Sequence, residues 1–94
     1  MSTTQSRASR VRAVLTEAFG PSAIEVHDDS ARHAGHSGAA PGGETHIEVR
    51  MVSEAFRGQS RVARSRAVHA MLDAEFRTGL HALSLVLRAP GEPG

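Results

Sequence analysis

The sequence predicts a small α+β domain in two layers, of order αββαβ, with two helices against one face of a three-stranded mixed sheet. Three patterns predict it. Apolar residues recur at helical spacing in two separate stretches, near the start of the chain and again before Phe76. Three other stretches alternate apolar and polar residues, as half-buried strands do. The third strand is reached through the second helix, so strands two and three are parallel if adjacent, with a right-handed crossover.

The elements run in order along the chain. Val11, Val14, Leu15, Ala18 and Phe19 give a helix over residues 7–19, ended by Gly20 and Pro21. In "AIEVHD", Ile24 and Val26 alternate with Glu25 and His27 to make the first strand. Residues 29–43, "DSARHAGHSGAAPGG", hold four glycines and form a long loop, a kind of segment that is usually functional or disordered. In "THIEVRMV", Ile47, Val49 and Met51 alternate with His46, Glu48 and Arg50, so the first two strands form a hairpin with an oversized tip. Ser53 caps a short turn that Gly58 ends, and Ser60 caps a second helix reaching Phe76. Val68, Met71, Leu72 and Phe76 form its apolar stripe, with Arg66, His69 and Asp73 opposite. The last strand runs from Leu80 to about Arg88, and "APGEPG" reads as a loose tail. One domain spans 1–94, with loose ends near 1–6 and 89–94.

Composition narrows the function. A chain of 94 residues has room for one modest core and little for a deep enzyme cleft. Three Phe, with no Trp or Tyr, cannot build a stacking platform for single-stranded nucleic acid. The 11 basic residues are all arginine, yet ten carboxylates leave a net charge of +1, so the chain is not a polycation. No segment approaches the ~20 apolar residues of a membrane span, and a cytoplasmic protein is expected. The Ser/Arg-rich start has a transit-peptide flavour, but its arginines run on into the first helix. Without cysteine there is no disulfide, and any thiolate at a metal must come from a partner. No Ser–His–Asp or Cys–His arrangement activates a nucleophile, and "HAGH" lacks the helix and glutamate of a hydrolytic zinc site, so no enzyme is expected.

Four blocks in a fixed order carry a family resemblance: "DDSARHAGH" at 28–36, "GGETHIEV" at 42–49, "VSEAFRGQSRVARSRAV" at 52–68 and "LHALSLVLRAPGE" at 80–92. The chain resembles the BolA family over residues 11–92. One departure is that many members have a histidine between two arginines at the start of the second helix, where Ser65 stands here between Arg64 and Arg66. The resemblance implies a fold similar to a class II KH domain. It also implies a non-enzymatic partner of monothiol glutaredoxins in iron–sulfur and iron homeostasis, with some bacterial members linked to DNA binding and cell shape under stress.

Six histidines are candidates. In the expected strand His81 shares a face with Leu83, Leu85 and Leu87, at its rim. A rim imidazole is either a half-buried hydrogen-bonded residue or a metal ligand, and the resemblance favours the ligand. By the family pattern His33 matches the loop ligand, with His36 three residues on as its alternative. A [2Fe–2S] cluster can carry histidine in place of cysteine. The expected cluster is shared with a glutaredoxin cysteine and glutathione, and is not held tightly by this chain alone. His46 is expected to be structural and His69 solvated, while His27 is unassigned. The rival reading is duplex DNA binding through Arg57, Arg61, Arg64 and Arg66 around the second helix's start. The turn "FRGQSR" lacks the GXXG of KH-type RNA readers. A homodimer is left open.

Overall fold

The computed structural model describes residues 6–28 and 45–93. The expected loop, with His33 and His36, lies outside them. Helix α1 (Arg7–Phe19) opens with Ser6, whose hydroxyl accepts from the Ser9 amide, and closes on Gly20 at φ 52° and ψ 49°. That left-handed cap suits glycine because no Cβ meets the following carbonyl. Strand β1 (Ala23–Asp28) pairs antiparallel with β2 (His46–Val52), Ile24 opposite Met51 and Val26 opposite Val49. A 3₁₀ turn (Glu54–Phe56), capped by Ser53, leads to α2 (Arg61–Met71), capped by Ser60. Strand β3 (Ala82–Arg88) lies parallel to β2, giving the order β1–β2–β3.

The core is the meeting of helices and sheet. Val11 and Leu15 of α1, Ile47, Val49 and Met51 of β2, Val68, Leu72 and Leu80 are all buried. Phe56 of the 3₁₀ turn lies at its heart, and its ring packs 5.2 Å from that of Phe19. The two-layer architecture, the mixed sheet and the strand pairing agree with the sequence reading.

Four details depart from it. First, the second helix is two: α2 stops at Met71, and α3 (Asp73–Arg77) comes next. The Leu72 amide is shared between the Val68 and His69 carbonyls, tightening the ladder at that residue. Met71, the last residue of α2, lies outside the expected buried stripe and is 48% exposed. Second, the tail is held. Ala89 is buried, its amide donates to Glu92 Oε1 at 2.9 Å, and the Glu92 amide donates back to its carbonyl at 3.1 Å. Third, β3 starts at Ala82, two residues later than expected. Fourth, Val14 and Ala18 of the predicted α1 stripe face solvent, so Val11 and Leu15 carry that helix's burial.

Candidate functional site

His81 stands just before β3, at the sheet end where β2 also begins and β1 finishes. The Thr45 carbonyl accepts from the His81 amide at 2.8 Å and from the Ala82 amide at 3.0 Å. In a regular strand, consecutive amides point to opposite sides. Two amides on one oxygen therefore shift the alternation by one residue. Leu83, Leu85 and Leu87 pack against the core, but upstream of the shift Leu80 is buried and His81 exposed. The expectation that His81 shares the leucine face is thus corrected: the ring faces solvent because the phase slips beneath it. No hydrogen bond ties the ring to any described residue, while its backbone is pinned.

A second layer, not anticipated from the sequence, braces this corner. Glu75 of α3 is buried at 9% exposure and is gripped from α1. Arg7 Nη1 lies 2.6 Å from Oε1, and Arg10 donates from Nε to Oε2 and from Nη2 to Oε1, each at 3.0 Å. Arg7 also donates to the Glu75 and Thr78 carbonyls at 3.0 and 2.9 Å. The Glu75 carbonyl accepts from the Leu80 amide at 2.9 Å. One cluster thus fixes the turn from Thr78 to Leu80 that delivers His81. The Arg10 guanidinium, and then the charge of both arginines, holds the Glu75 carboxyl below the usual carboxylate range against its burial. The sequence clue was faint: two arginines three apart at a helix start, where they oppose the helix dipole, need an acidic partner elsewhere.

The other histidines fall into place. Asp28 and Thr45, which bracket the segment bearing His33 and His36, lie at the His81 end of the sheet. His46 sits 3.2 Å from Ser84 Oγ on the sheet face opposite the helices, and His27 sits 3.2 Å from Glu25 on that face. His69 is exposed as expected but stacks on Phe76 with ring centroids 5.2 Å apart. Among the described residues no three His, Cys, Asp or Glu side chains converge as a metal site. His81 is an exposed donor that no described residue joins in such a cluster.

The arginine patch does not hold together. Arg64 is 8% exposed and binds Glu92 at 2.7 and 2.9 Å, the Gln59 carbonyl at 3.0 Å and the Leu87 carbonyl at 3.1 Å. Arg57 is taken by Glu54 at 2.6 Å and by the Pro90 carbonyl at 2.9 Å. Arg61 and Arg66 are exposed and form no ion pair with a described residue. Two of the four cations are consumed by the fold, which weakens the surface expected for DNA. No helix among the described residues is long and apolar enough to cross a membrane.

Fold and site together define a small α+β domain that presents an imidazole from a braced sheet corner. Comparison narrows the class. A family model described as BolA-like protein matches residues 15–92. A protein of the cobS 5′ region of Sinorhizobium sp. is 51% identical over 80 residues, which cover 84% of this chain and 86% of that one. SufE-like protein 1, chloroplastic/mitochondrial, of Arabidopsis thaliana is 44% identical over 93% of this chain, which spans only 24% of that longer protein. The solved structure of BolA1 from Arabidopsis thaliana superposes with a TM-score of 0.84 at 39% identity, covering 98% of this chain and all of that one. The chain belongs to the BolA-like family.

Proposed function

We propose that the protein is a non-enzymatic, cytoplasmic accessory of iron–sulfur and iron homeostasis, which docks a monothiol glutaredoxin and shares a [2Fe–2S] cluster with it as cargo. His81 is the firm ligand from this chain, and His33 is the second, with His36 as its alternative. The carrying observation is the pinned backbone and free ring of His81: a ligand is best held by a rigid element, and its donor nitrogen must reach solvent or a partner. The chain has no cysteine, so the partner's thiolate and glutathione supply the sulfur ligands. An imidazole is a weaker donor than a thiolate, which suits a cluster meant to be handed on. Membership of the BolA-like family supports this reading.

The test is one spectrum. Cluster-loaded monothiol glutaredoxin and glutathione are mixed with the protein, and visible circular dichroism is recorded over time. His81→Ala should fold and unfold as the parent does, because the exposed ring contributes little to the core. It should also alter the visible spectrum or shorten the cluster's lifetime. His33→Ala should act in the same direction but less, because His36 can take its place. A His81→Ala complex matching the parent in spectrum and lifetime would overturn the assignment.

A further inference from the structure

Among the described residues strand β3 has a strand neighbour on one side only. The Ala82 amide donates toward β2, to Thr45, and the Arg88 carbonyl accepts from the Ser53 amide beyond the end of β2. By alternation, Leu83, Leu85 and Leu87 turn their N–H and C=O groups to the outer edge. The Leu87 carbonyl fits that phase, since it accepts from Arg64 of α2 at 3.1 Å. Arg64 therefore stops the edge at its C-terminal end. Upstream, no described side chain hydrogen-bonds the backbone of Leu83 or Leu85. Such an edge is a template for another strand.

Beside this edge lies a groove of about 570 Å³, lined by Leu85, Leu87, Arg61, Ser65 and Arg88 among others. Its charge is unbalanced. Among the described residues Glu92 is the one carboxylate lining it, and Arg64 takes both of its oxygens, at 2.7 and 2.9 Å. Arg61 and Arg88 form no ion pair with a described residue, and Arg88 Nε is buried with no hydrogen-bond partner among the described residues. On the far side of Arg61, Val62 is 57% exposed and adds apolar surface.

We propose that this edge captures an extended acidic segment of a partner protein as a fourth strand. The segment's backbone pairs with Leu83 and Leu85, and the carboxylates on its helix-side face meet Arg61. A second copy of the chain fits worse: β3 has no carboxylate, and the pairing would set cation against cation. Nucleic acid fits worse too, because phosphates leave the edge amides and carbonyls without strand partners. The groove lies along Leu85–Arg88, at the opposite end of β3 from His81, so the proposal does not rest on the cluster reading.

The full chain, labelled with nitrogen-15, is titrated with a synthetic peptide of the length of β3 that alternates valine and glutamate. The Leu83 and Leu85 amides should shift and exchange more slowly, and added salt should weaken binding. A lysine-for-glutamate peptide should bind at least roughly tenfold more weakly, and Arg61→Glu should weaken capture of the glutamate peptide. A glutamate peptide methylated at its edge-facing amide nitrogens keeps its charge and should also lose binding. Unmoved Leu83 and Leu85 amides, or full affinity of the methylated or lysine peptide, would overturn the proposal. Self-association through the edge, or stronger shifts of the same amides by mixed-sequence duplex DNA, would replace it with those occupants.

Discussion

The two ends of β3 are both fastened by an arginine–glutamate clasp, and the clasps are not equivalent. At the N-terminal end Glu75 has a side chain only 11% exposed and answers two arginines of another helix. At the C-terminal end the Glu92 side chain is 33% exposed, binds one arginine, and folds a short tail back on its own strand. The lengths are alike, 2.6 and 2.7 Å, so distance does not separate them. Burial and connectivity do. The first clasp ties residues 65–68 positions apart and braces the corner that carries His81; the second trims a strand edge.

That difference is breakable by substitution. Glu75→Ala should have the largest effect. It removes the carboxylate that both Arg7 and Arg10 grip, and breaking a buried pair from one side costs about 3 kcal/mol. Urea unfolding should show that loss, and amide exchange at Leu80 and His81 should accelerate. If both stay unchanged, the bracing role of the cluster is wrong.

Gly79→Ala should come second. Gly79 has φ 128°, where side chains are strained, and an added Cβ would sit 3.2 Å from Arg7 Nη2. The expected cost is about 1–2 kcal/mol by equilibrium unfolding, with the corner rather than the β3 edge loosened. Equal loosening of both ends would erase the comparison.

Glu92→Gln should have the smallest effect at neutral pH, but a distinctive pH signature. Hydrogen bonds from Arg64, then from the Ala89 amide, lower the Glu92 carboxyl from 4.5 to about 2. A folded-state pKa below the unfolded one stabilises the fold above the unfolded value. That contribution is lost as pH falls from 4.5 toward about 2. Stability of the parent should therefore decline across this window, and Glu92→Gln should flatten the decline. Glu75 has the same sign, lowered first by Arg10, and contributes to the same acid limb. A parent curve unaffected by Glu92→Gln would remove the tail clasp from the account.

Much of the fold was legible because it is written locally. Ser53 and Ser60 each cap the helical turn that begins beside them, Gly20 ends α1, and period-2 alternation marks β1 and β2. The features that escaped depend on pairs far apart in the chain. Arg64 comes just after a cap and resembles one more solvated helix arginine, yet it is buried because Glu92 and two carbonyls replace its water. Glu75 sits in a polar-looking helix end, and only the return of α1 makes its burial tolerable. The α2–α3 break has neither Pro nor Gly to announce it. His81 was legible as a candidate from its place in a block, whereas its outward direction was not. Strict alternation placed it on the leucine face, and a hydrogen bond to Thr45 turned it away.

The shared Thr45 carbonyl has a further consequence for how this chain tolerates change. It works as a joint that breaks transmission between the hydrophobic interior and the exposed ring. Volume changes at Leu83, Leu85 or Leu87 shift the strand against the core, but the heading of the ring is set upstream, where one oxygen holds two amides. Interior repacking and surface chemistry can therefore drift independently. Deleting one residue at the joint, or inserting one there, would instead re-gear the two and swing the imidazole from water into the apolar layer.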